Sequence, residues 1–190
     1  MFSPFLAACN VGALALCVVL YLKGRFAPST RDAGHTGNLP FDIFWGTELY
    51  PRFGHALWKL GWDVKLLTNC RFGMMFWGVG ILSLAAAQYE AEGFVSDSML
   101  VSVGVQLVYV LKFFHWEMGY MSTMDIQHDR AGFYICWGCM VWVPSVYTCH
   151  TLFLTNHPYQ LGLPLTVRPA PSRPAAARGL SCARASHALF

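Results

Sequence analysis

A cluster of ionisable side chains lies between two apolar stretches, within the segment from Lys112 to Gly138. Its members are His115, Glu117, Asp125, His128, Asp129 and Arg130. Ionisable groups at membrane depth are costly unless they are paired or hydrated, so those beside a membrane span usually line a polar cavity or contact a ligand. The alternative is an interfacial loop in which the acids pair with Arg130 and the aromatics Trp116 and Tyr120 form a membrane belt. The residues alone leave both interpretations open.

The histidines of this cluster could also suggest an iron or zinc oxygenase. Histidine ligands on one helix are spaced three or four residues apart and recur in pairs. His115 and His128 are far apart in sequence, and the chain contains no HxxxH or HxxHH pair. We therefore expect no metal site. A GxGxxG phosphate cradle is absent too, which argues against a soluble nucleotide-binding domain.

The elements that must position the cluster are membrane helices. Of 190 residues, 55% are hydrophobic and only 12% are charged, against roughly a quarter charged in a soluble domain. Four apolar windows are long enough for helices that cross a hydrocarbon core: Pro4–Leu22, Phe72–Tyr89, Ser98–Trp116 and Gly132–Leu154. The predicted fold class is all-α and multispanning, with about four transmembrane helices.

The first and the last of these spans each have an unusual feature. The first could be a cleavable signal peptide, but no Lys or Arg precedes it, and Lys23 and Arg25 follow it, which favours a span. The last contains Pro144, which a membrane helix tolerates when neighbouring groups take up the freed carbonyl, so we expect a kink there.

Loop charges predict an orientation. The connection from Lys23 to Arg71 holds seven Lys and Arg, and the one from Glu90 to Asp97 holds three acids and no base, which places the first in the cytoplasm. Alternation then puts the arginine-rich end of the chain on the opposite side. This conflict indicates either a disordered tail over residues 162–190 or a reading frame that leaves the ancestral sequence near Leu161, and it favours the second.

Seven cysteines could suggest disulfides or a metal site, but five lie in the predicted spans. Cys136 and Cys139 form a CxxC pair without a second pair for zinc or a thioredoxin-like context. We predict that they pack between helices as small apolar residues.

Four blocks of this sequence carry a family resemblance: YLKGRFAPST (21–30), GNLPFDIFWGTELYPR (37–52, which we call the signature loop), DVKLLTNCRFGMM (63–75) and MDIQHDRAGFYICWGCMVWVPSVYT (124–148). Together they resemble the sterol reductase family, nearest to the 7-dehydrocholesterol reductase branch of plants and algae. The family also includes sterol C14 reductases and the lamin B receptor. The resemblance covers about Phe5 to Leu161. Pro40 departs from the family pattern and should bias Leu39 toward an extended backbone, a local change that we expect to be tolerated.

The resemblance implies an internal fragment of a longer enzyme. Family members have about twice as many residues, and their carboxy-terminal half supplies most of the NADPH pocket. Residues 1–161 are thus predicted to be a partial sterol reductase membrane domain. We expect it to be inactive alone and to reside in the endoplasmic reticulum membrane. Its expected ligands are sterol and membrane lipid, not nucleic acid.

The family chemistry implies roles for single residues. Reducing an unactivated alkene requires a proton on one carbon and a hydride on the other, so a proton donor and NADPH must flank one apolar cavity. We expect Tyr147 to be the donor, or else Asp125 with His128 as its hydrogen-bonded partner; a packing role for Tyr147 is the alternative. The predicted substrate pocket includes Glu117, Asp129 and Trp142.

In the signature loop, Asp42, Glu48 and Arg52 should fix the loop by ion pairing, and Arg52 could reach a cofactor phosphate. Three hypotheses for function remain: a fragment of an NADPH-dependent sterol Δ7 reductase, or of a C14 reductase; a membrane protein that binds sterol or a partner without catalysis; and a di-metal oxygenase, which the histidine spacing disfavours.

Overall fold

Three long helices dominate the computed structural model, which describes residues 2–54 and 61–162. Helices long and apolar enough to cross a membrane are Pro4–Phe26, Leu66–Glu92 and Asp97–His115 within that part of the chain. The helical, multispanning fold class is confirmed. The predicted tail lies outside the described residues from position 163 onward.

The elements follow in chain order. The first part of the chain contains α1 (Phe2–Phe26), α2 (Leu39–Trp45), β1 (Arg52–Phe53) and β2 (Trp62–Asp63). A π-helical stretch, π1 (Leu66–Met74), then runs directly into α3 (Met75–Glu92), and α4 (Asp97–His115) follows after a short turn. The remainder contains α5 (Glu117–Met121), α6 (Met124–His128), α7 (Phe133–Trp137), π2 (Gly138–Trp142), α8 (Val143–Val146) and α9 (Cys149–Asn156).

The fourth predicted span is broken. Helical structure from α7 to α8 ends at Val146, and α9 starts only at Cys149. Pro144 cannot donate a backbone hydrogen bond. The Thr148 hydroxyl donates to the Pro144 carbonyl oxygen at 2.7 Å, so a side chain bonds an acceptor that the Thr148 amide would bond in a regular helix. The break lies at Tyr147 and Thr148, three residues beyond Pro144, and the kink at Pro144 itself stays a prediction.

The signature loop is held by local structure. Asn38 caps α2 by accepting a hydrogen bond from the Phe41 amide, and Pro40 lies in the first turn, where a missing N–H costs nothing. Pro40 is thus tolerated, but the bias predicted for Leu39 is wrong, because Leu39 is already helical and Asn38 is the extended residue. Further on, β1 pairs antiparallel with β2, with Arg52 opposite Asp63.

The core is divided among the helix contacts. Trp77, Ile81, Met99, Val103 and Val110 pack between α3 and α4. Cys17 and Leu20 of α1 pack with Cys136 of α7. Because Cys136 is fully buried and the six described cysteines are free thiols, the packing role predicted for the CxxC pair is confirmed.

A hydrogen-bonded group of uncharged side chains also joins the spans, and we call it the span network. The Gln106 amide accepts from Trp77 Nε1 at 2.9 Å and donates to Thr151 Oγ1 at 2.8 Å and to Ser102 Oγ at 3.1 Å. In lipid, where water cannot satisfy these groups, such bonds hold helices together.

Candidate functional site

Glu48 fastens the signature loop to the end of α1. Its carboxylate lies 2.7 Å from Lys23 Nζ and accepts hydrogen bonds from the Ser29 amide at 2.5 Å and the Ser29 hydroxyl at 3.0 Å. Burial raises the pKa of Glu48, but the Lys23 and Ser29 hydrogen bonds outweigh burial and leave the pKa below its ordinary value. The ion pairing predicted for Glu48 is confirmed.

Asp42 is buried in the same loop and has mainly uncharged partners. Thr36 donates to its carboxylate through the hydroxyl at 2.7 Å and the amide at 3.1 Å, and His35 Nδ1 lies 3.8 Å away. Burial again acts to raise the pKa, and the Thr36 bonds overcome it, so the pKa of Asp42 is lowered. Asp42 therefore stabilises the loop as an ionised hydrogen-bond acceptor.

Arg52 differs from these two acids. Its backbone amide donates to Ser29 Oγ at 3.0 Å, but its exposed guanidinium forms no ion pair with any described carboxylate. The ion pair predicted for Arg52 is therefore not found in this part of the chain. An exposed guanidinium remains able to bind a phosphate.

Arg130 ties the ionisable cluster to the signature loop through backbone carbonyls. Its guanidinium donates to the carbonyl oxygens of Gly34 and Thr47 at 3.2 Å and of Asp32 at 3.3 Å. Among the described side chains no acid forms a salt bridge with it, contrary to the interfacial-loop interpretation. Arg130 thus holds two segments that are distant in sequence.

A close backbone crossing completes this attachment. Gly46 has φ +97°, and a Cβ there would lie 2.6 Å from the carbonyl carbon of Ala131. Gly132 meets the backbone of Trp45 and Gly46 in the same way. Only glycine fits at such a contact, so the signature loop and the start of α7 are packed backbone to backbone.

The other residues of the cluster have separate partners. Glu117 lies 3.0 Å from Arg71, at the start of the second span. Asp129 accepts a hydrogen bond from the Tyr134 hydroxyl, and the Tyr134 ring stacks on Trp45 at 5.7 Å. Asp129 is therefore joined to the signature loop through an aromatic pair.

Of the predicted pair of Asp125 and His128, the structure describes the side chain of His128 only. Both residues lie in α6, and the side chain of Asp125 is outside the described atoms. His128 is exposed, with Nδ1 3.0 Å from the Met124 carbonyl oxygen. That contact uses one ring nitrogen, so a bond to Asp125 would have to use Nε2.

Tyr147, the first candidate for proton donor, lies in the break between α8 and α9. Its ring packs at 5.0 Å from the Trp77 ring, and 43% of the residue is exposed. The hydroxyl makes no hydrogen bond to any described group. Trp142, predicted for the substrate pocket, is 47% exposed and lies 5.9 Å from Trp137.

The described residues form two clefts, and neither Tyr147 nor Trp142 belongs to the lining of either one. An apolar cleft of about 530 Å³ is lined by Phe5 of α1, by Phe76, Val79 and Leu84 of α3, and by Pro144 near the helix break. A polar cleft of about 330 Å³ lies at the signature loop, between Asp42, Trp45, His35 and Arg130. Both volumes fall in the range of about 300–1,000 Å³ that is typical of small-molecule sites.

Two residues of the site, Lys65 and Tyr134, are not indicated by any pattern that singled out the predicted residues. Lys65 is 1% exposed, and its Nζ donates to the Ile126 carbonyl at 2.6 Å. A lysine just before an apolar run has the pattern of an exposed helix-end charge, so the sequence carries no signal of its burial. Tyr134 has the pattern of an interfacial aromatic, although its position five residues after Asp129 could have suggested the pair.

The chain is similar to known proteins over most of its length. The model of the ergosterol biosynthesis ERG4/ERG24 family matches residues 1–168, which extends past Leu161. The chain is 57% identical over 156 residues to a 7-dehydrocholesterol reductase of Arabidopsis thaliana, covering 82% of this chain and 35% of that protein. It is 38% identical over 162 residues to a 7-dehydrocholesterol reductase of Danio rerio, covering 85% and 33%.

A relative with a different printed activity is also similar. The chain is 36% identical over 159 residues to a Delta(14)-sterol reductase of Methylotuvimicrobium alcaliphilum, covering 84% of this chain and 35% of that protein. The chain thus spans about a third of the length of the curated relatives that it matches.

Proposed function

The chain belongs to the ergosterol biosynthesis ERG4/ERG24 family, and we propose that it takes part in NADPH-dependent reduction of the C7–C8 double bond of sterols. The choice of the C7–C8 bond rests on sequence identity. The chain is 57% identical to the Arabidopsis 7-dehydrocholesterol reductase and 36% identical to the Delta(14)-sterol reductase of Methylotuvimicrobium alcaliphilum. We propose that the chain resides in the membrane of the endoplasmic reticulum.

The substrate that we propose is apolar, and the apolar cleft supports this choice. Its lining is made mostly of aliphatic and aromatic side chains from α1 and α3, with Pro144 beside them. A sterol dissolved in the bilayer can enter such a cleft directly from lipid, and close van der Waals packing against these side chains then favours its binding. Trp142, Glu117 and Asp129 stay predictions for the substrate pocket.

For the proton donor we propose Tyr147, with Asp125 and His128 as the alternative. A tyrosine is protonated at neutral pH, and the Tyr147 hydroxyl is unbonded among the described groups, so its proton is available to a substrate carbon. Tyr134 is less suitable, because its hydroxyl already donates to Asp129. The adjacent Trp77 ring orients Tyr147 from one side.

NADPH would supply the hydride. Its phosphates require cationic or N–H donors, and Arg52 offers an exposed guanidinium without an acidic partner in the described part of the chain. Arg130 is committed to three carbonyls and is less available. We therefore propose Arg52 as the residue of this segment that contacts a cofactor phosphate.

A chimera tests the proposal independently of chain length. The matching 156-residue stretch of the Arabidopsis protein is replaced by that of this chain, and microsomes from reductase-deficient yeast are assayed with NADPH and 7-dehydrocholesterol. We expect reduction at a rate within about tenfold of the parent. Preference for a Δ14 sterol, or no turnover in correctly inserted chimera, would contradict the proposal.

Two variants of the chimera assign the proton donor. Tyr147→Phe should lower the rate by about 10²-fold or more, because general acid catalysis contributes about 10²–10⁴-fold. An unchanged rate would move the role to a carboxyl, and Asp125→Asn then becomes the decisive variant. Tyr109→Phe is a matched control, since Tyr109 also packs on Trp77.

A second candidate is a membrane protein that binds sterol without catalysis, which the apolar cleft also favours. A photoreactive sterol would then label α3 of the chain in nanodiscs while the inserted chimera shows no turnover. Labelling together with turnover would support the reductase instead.

A further inference from the structure

Lys65 lies where three segments of the molecule meet. It precedes π1, its Nζ lies 4.3 Å from the centre of the Tyr50 ring in the signature loop, and it donates to the Ile126 carbonyl of α6. Only 1% of the residue is exposed. The ammonium is thus enclosed between an aromatic face and a backbone carbonyl.

Among the side chains that the structure describes, which do not include that of Asp125, no carboxylate compensates this burial at short range. No described carboxylate lies within 4.0 Å of Lys65 Nζ. Asp63, Asp129 and Asp32 act on the ammonium from farther away, and burial, the larger influence, lowers its pKa to about 8. A buried charge without an ion pair is unfavourable for folding, so packing alone does not account for a lysine at this position.

The geometry points to a positioning role: we propose that the Lys65 ammonium holds α6, and with it the neighbouring Asp125, at a fixed place against the signature loop. The proposal deepens the proposed function, and its catalytic consequence rests on the alternative in which Asp125, with His128, is the proton donor. The contact is made to the backbone of α6 at Ile126, directly after Asp125, so the position of that residue is tied to Lys65.

The role predicts a specific loss in a variant of similar shape. Lys65→Met keeps the length and the apolar stem but leaves the Ile126 carbonyl without its donor. A short helix such as α6 is marginal on its own, so it depends on tertiary contacts for its order. Lys65→Arg retains a cationic donor, and Lys112→Met at an exposed position is the control.

Hydrogen exchange of the full chain in nanodiscs tests the positioning step without any assay of activity. Lys65→Met should raise the exchange of amides 124–130 by at least tenfold, while Lys65→Arg and Lys112→Met stay within threefold of wild type. Exchange in the α3 and α4 peptides should not change. Wild-type protection of residues 124–130 in Lys65→Met would overturn the proposal.

A second variant covers the case in which Lys65→Met does not fold. Lys65→Gln keeps a polar side chain, but it is uncharged and too short to reach the Ile126 carbonyl, so amides 124–130 should exchange at least threefold faster than in wild type. Wild-type protection of these amides in Lys65→Gln would overturn the proposal.

Kinetics of the chimera test the consequence for catalysis. With kcat counted per folded, correctly inserted chimera, we expect Lys65→Met to lower kcat at least tenfold with KM within twofold, and Lys65→Arg to restore kcat to within threefold. An unchanged kcat would refute the catalytic consequence. If the chimera with the native Lys65 were inactive, the proposed function would fail, and hydrogen exchange would still decide the positioning role.

Discussion

The signature loop and the membrane spans are held by opposite kinds of polar contact. At the loop, the fixing groups are charged: Glu48 with Lys23, Arg130 on three carbonyls, and Lys65 on Ile126. In the span network, the fixing groups are the amide of Gln106, the indole of Trp77 and the hydroxyls of Thr151 and Ser102. Charge is thus concentrated where the chain leaves the lipid.

The difference follows from the cost of burying an ion. A charged side chain in hydrocarbon is unfavourable by several kcal/mol, whereas an amide needs only partners for its donors and acceptors. At the loop, water is near and charge-assisted bonds are about twice as strong as neutral ones. Charged residues can therefore impose one geometry on an irregular segment, and neutral residues suffice between regular helices.

Breaking the ion pair of the loop should have the largest effect. Glu48→Ala leaves Lys23 without its carboxylate, and loss of one partner of a buried pair costs about 3–5 kcal/mol. The free energy of unfolding in mixed detergent micelles measures this loss. Glu90→Ala, at an exposed acid, should stay within about 0.5 kcal/mol of wild type.

The double variant Lys23→Met with Glu48→Leu sharpens the same comparison. Replacement of both charges by apolar groups is often neutral or stabilising. A double variant as unstable as Glu48→Ala would mean that the hydrogen bonds to Ser29, and not the charges, hold the loop.

A pair of glycines separates backbone strain from backbone packing in the loop. Gly37 and Gly46 both have positive φ, of +86° and +97°, but a Cβ at Gly37 meets nothing within 4 Å. Alanine at either position is destabilised by the unfavourable backbone conformation, by about 1–3 kcal/mol. Gly46→Ala should lose about 1–3 kcal/mol more, because of the contact with Ala131. Equal losses of unfolding free energy for the two variants would show that the crossing can relax.

Sequence alone predicted the spans far better than the loop. Hydrophobic length identified α1, α3 and α4, because lipid forces each segment to satisfy its own backbone. It did not indicate the break at Tyr147 and Thr148 within residues 132–154, where the Ser145 and Thr148 hydroxyls donate to backbone carbonyls. The loop contacts of Arg130 depend on partners more than eighty residues away in sequence, such as Thr47, so no local pattern indicates them.

The span network should respond less strongly than the loop to loss of one residue. Gln106→Leu removes a partner from Trp77 and from Thr151. Interhelical hydrogen bonds in membrane proteins contribute about 0.6 kcal/mol on average and up to about 1.7. We expect a loss in that range from the same unfolding measurement, with Val105→Leu at an exposed position of α4 as the control. A loss as large as that of Glu48→Ala would contradict the contrast between the regions.

The smallest effect that we expect is on stability between pH 8 and pH 5, and it also distinguishes the two regions. The pKa of Glu48 is lowered in the folded chain, since the bonds from Lys23 and Ser29 outweigh burial, and the pKa of Asp42 is lowered by Thr36 against burial. A carboxyl with a lowered folded pKa adds stability above its unfolded pKa and loses it as pH falls through the folded value. Stability should therefore be nearly constant down to pH 5 and decline below the ordinary glutamate value of 4.5.

Two variants assign this acid-induced decline to one region of the molecule. Glu48→Gln should flatten the decline in unfolding curves collected across pH, because it removes the carboxyl that takes up the proton. Gln106→Leu should leave its shape unchanged, because the span network contains no group that titrates in this range. If the decline kept its full slope in Glu48→Gln, the acid sensitivity of the loop would belong to the other carboxyls with a lowered pKa, Asp42 and Asp32. The pair of Glu48 and Lys23 would then not be the contact that limits the stability of the loop in acid.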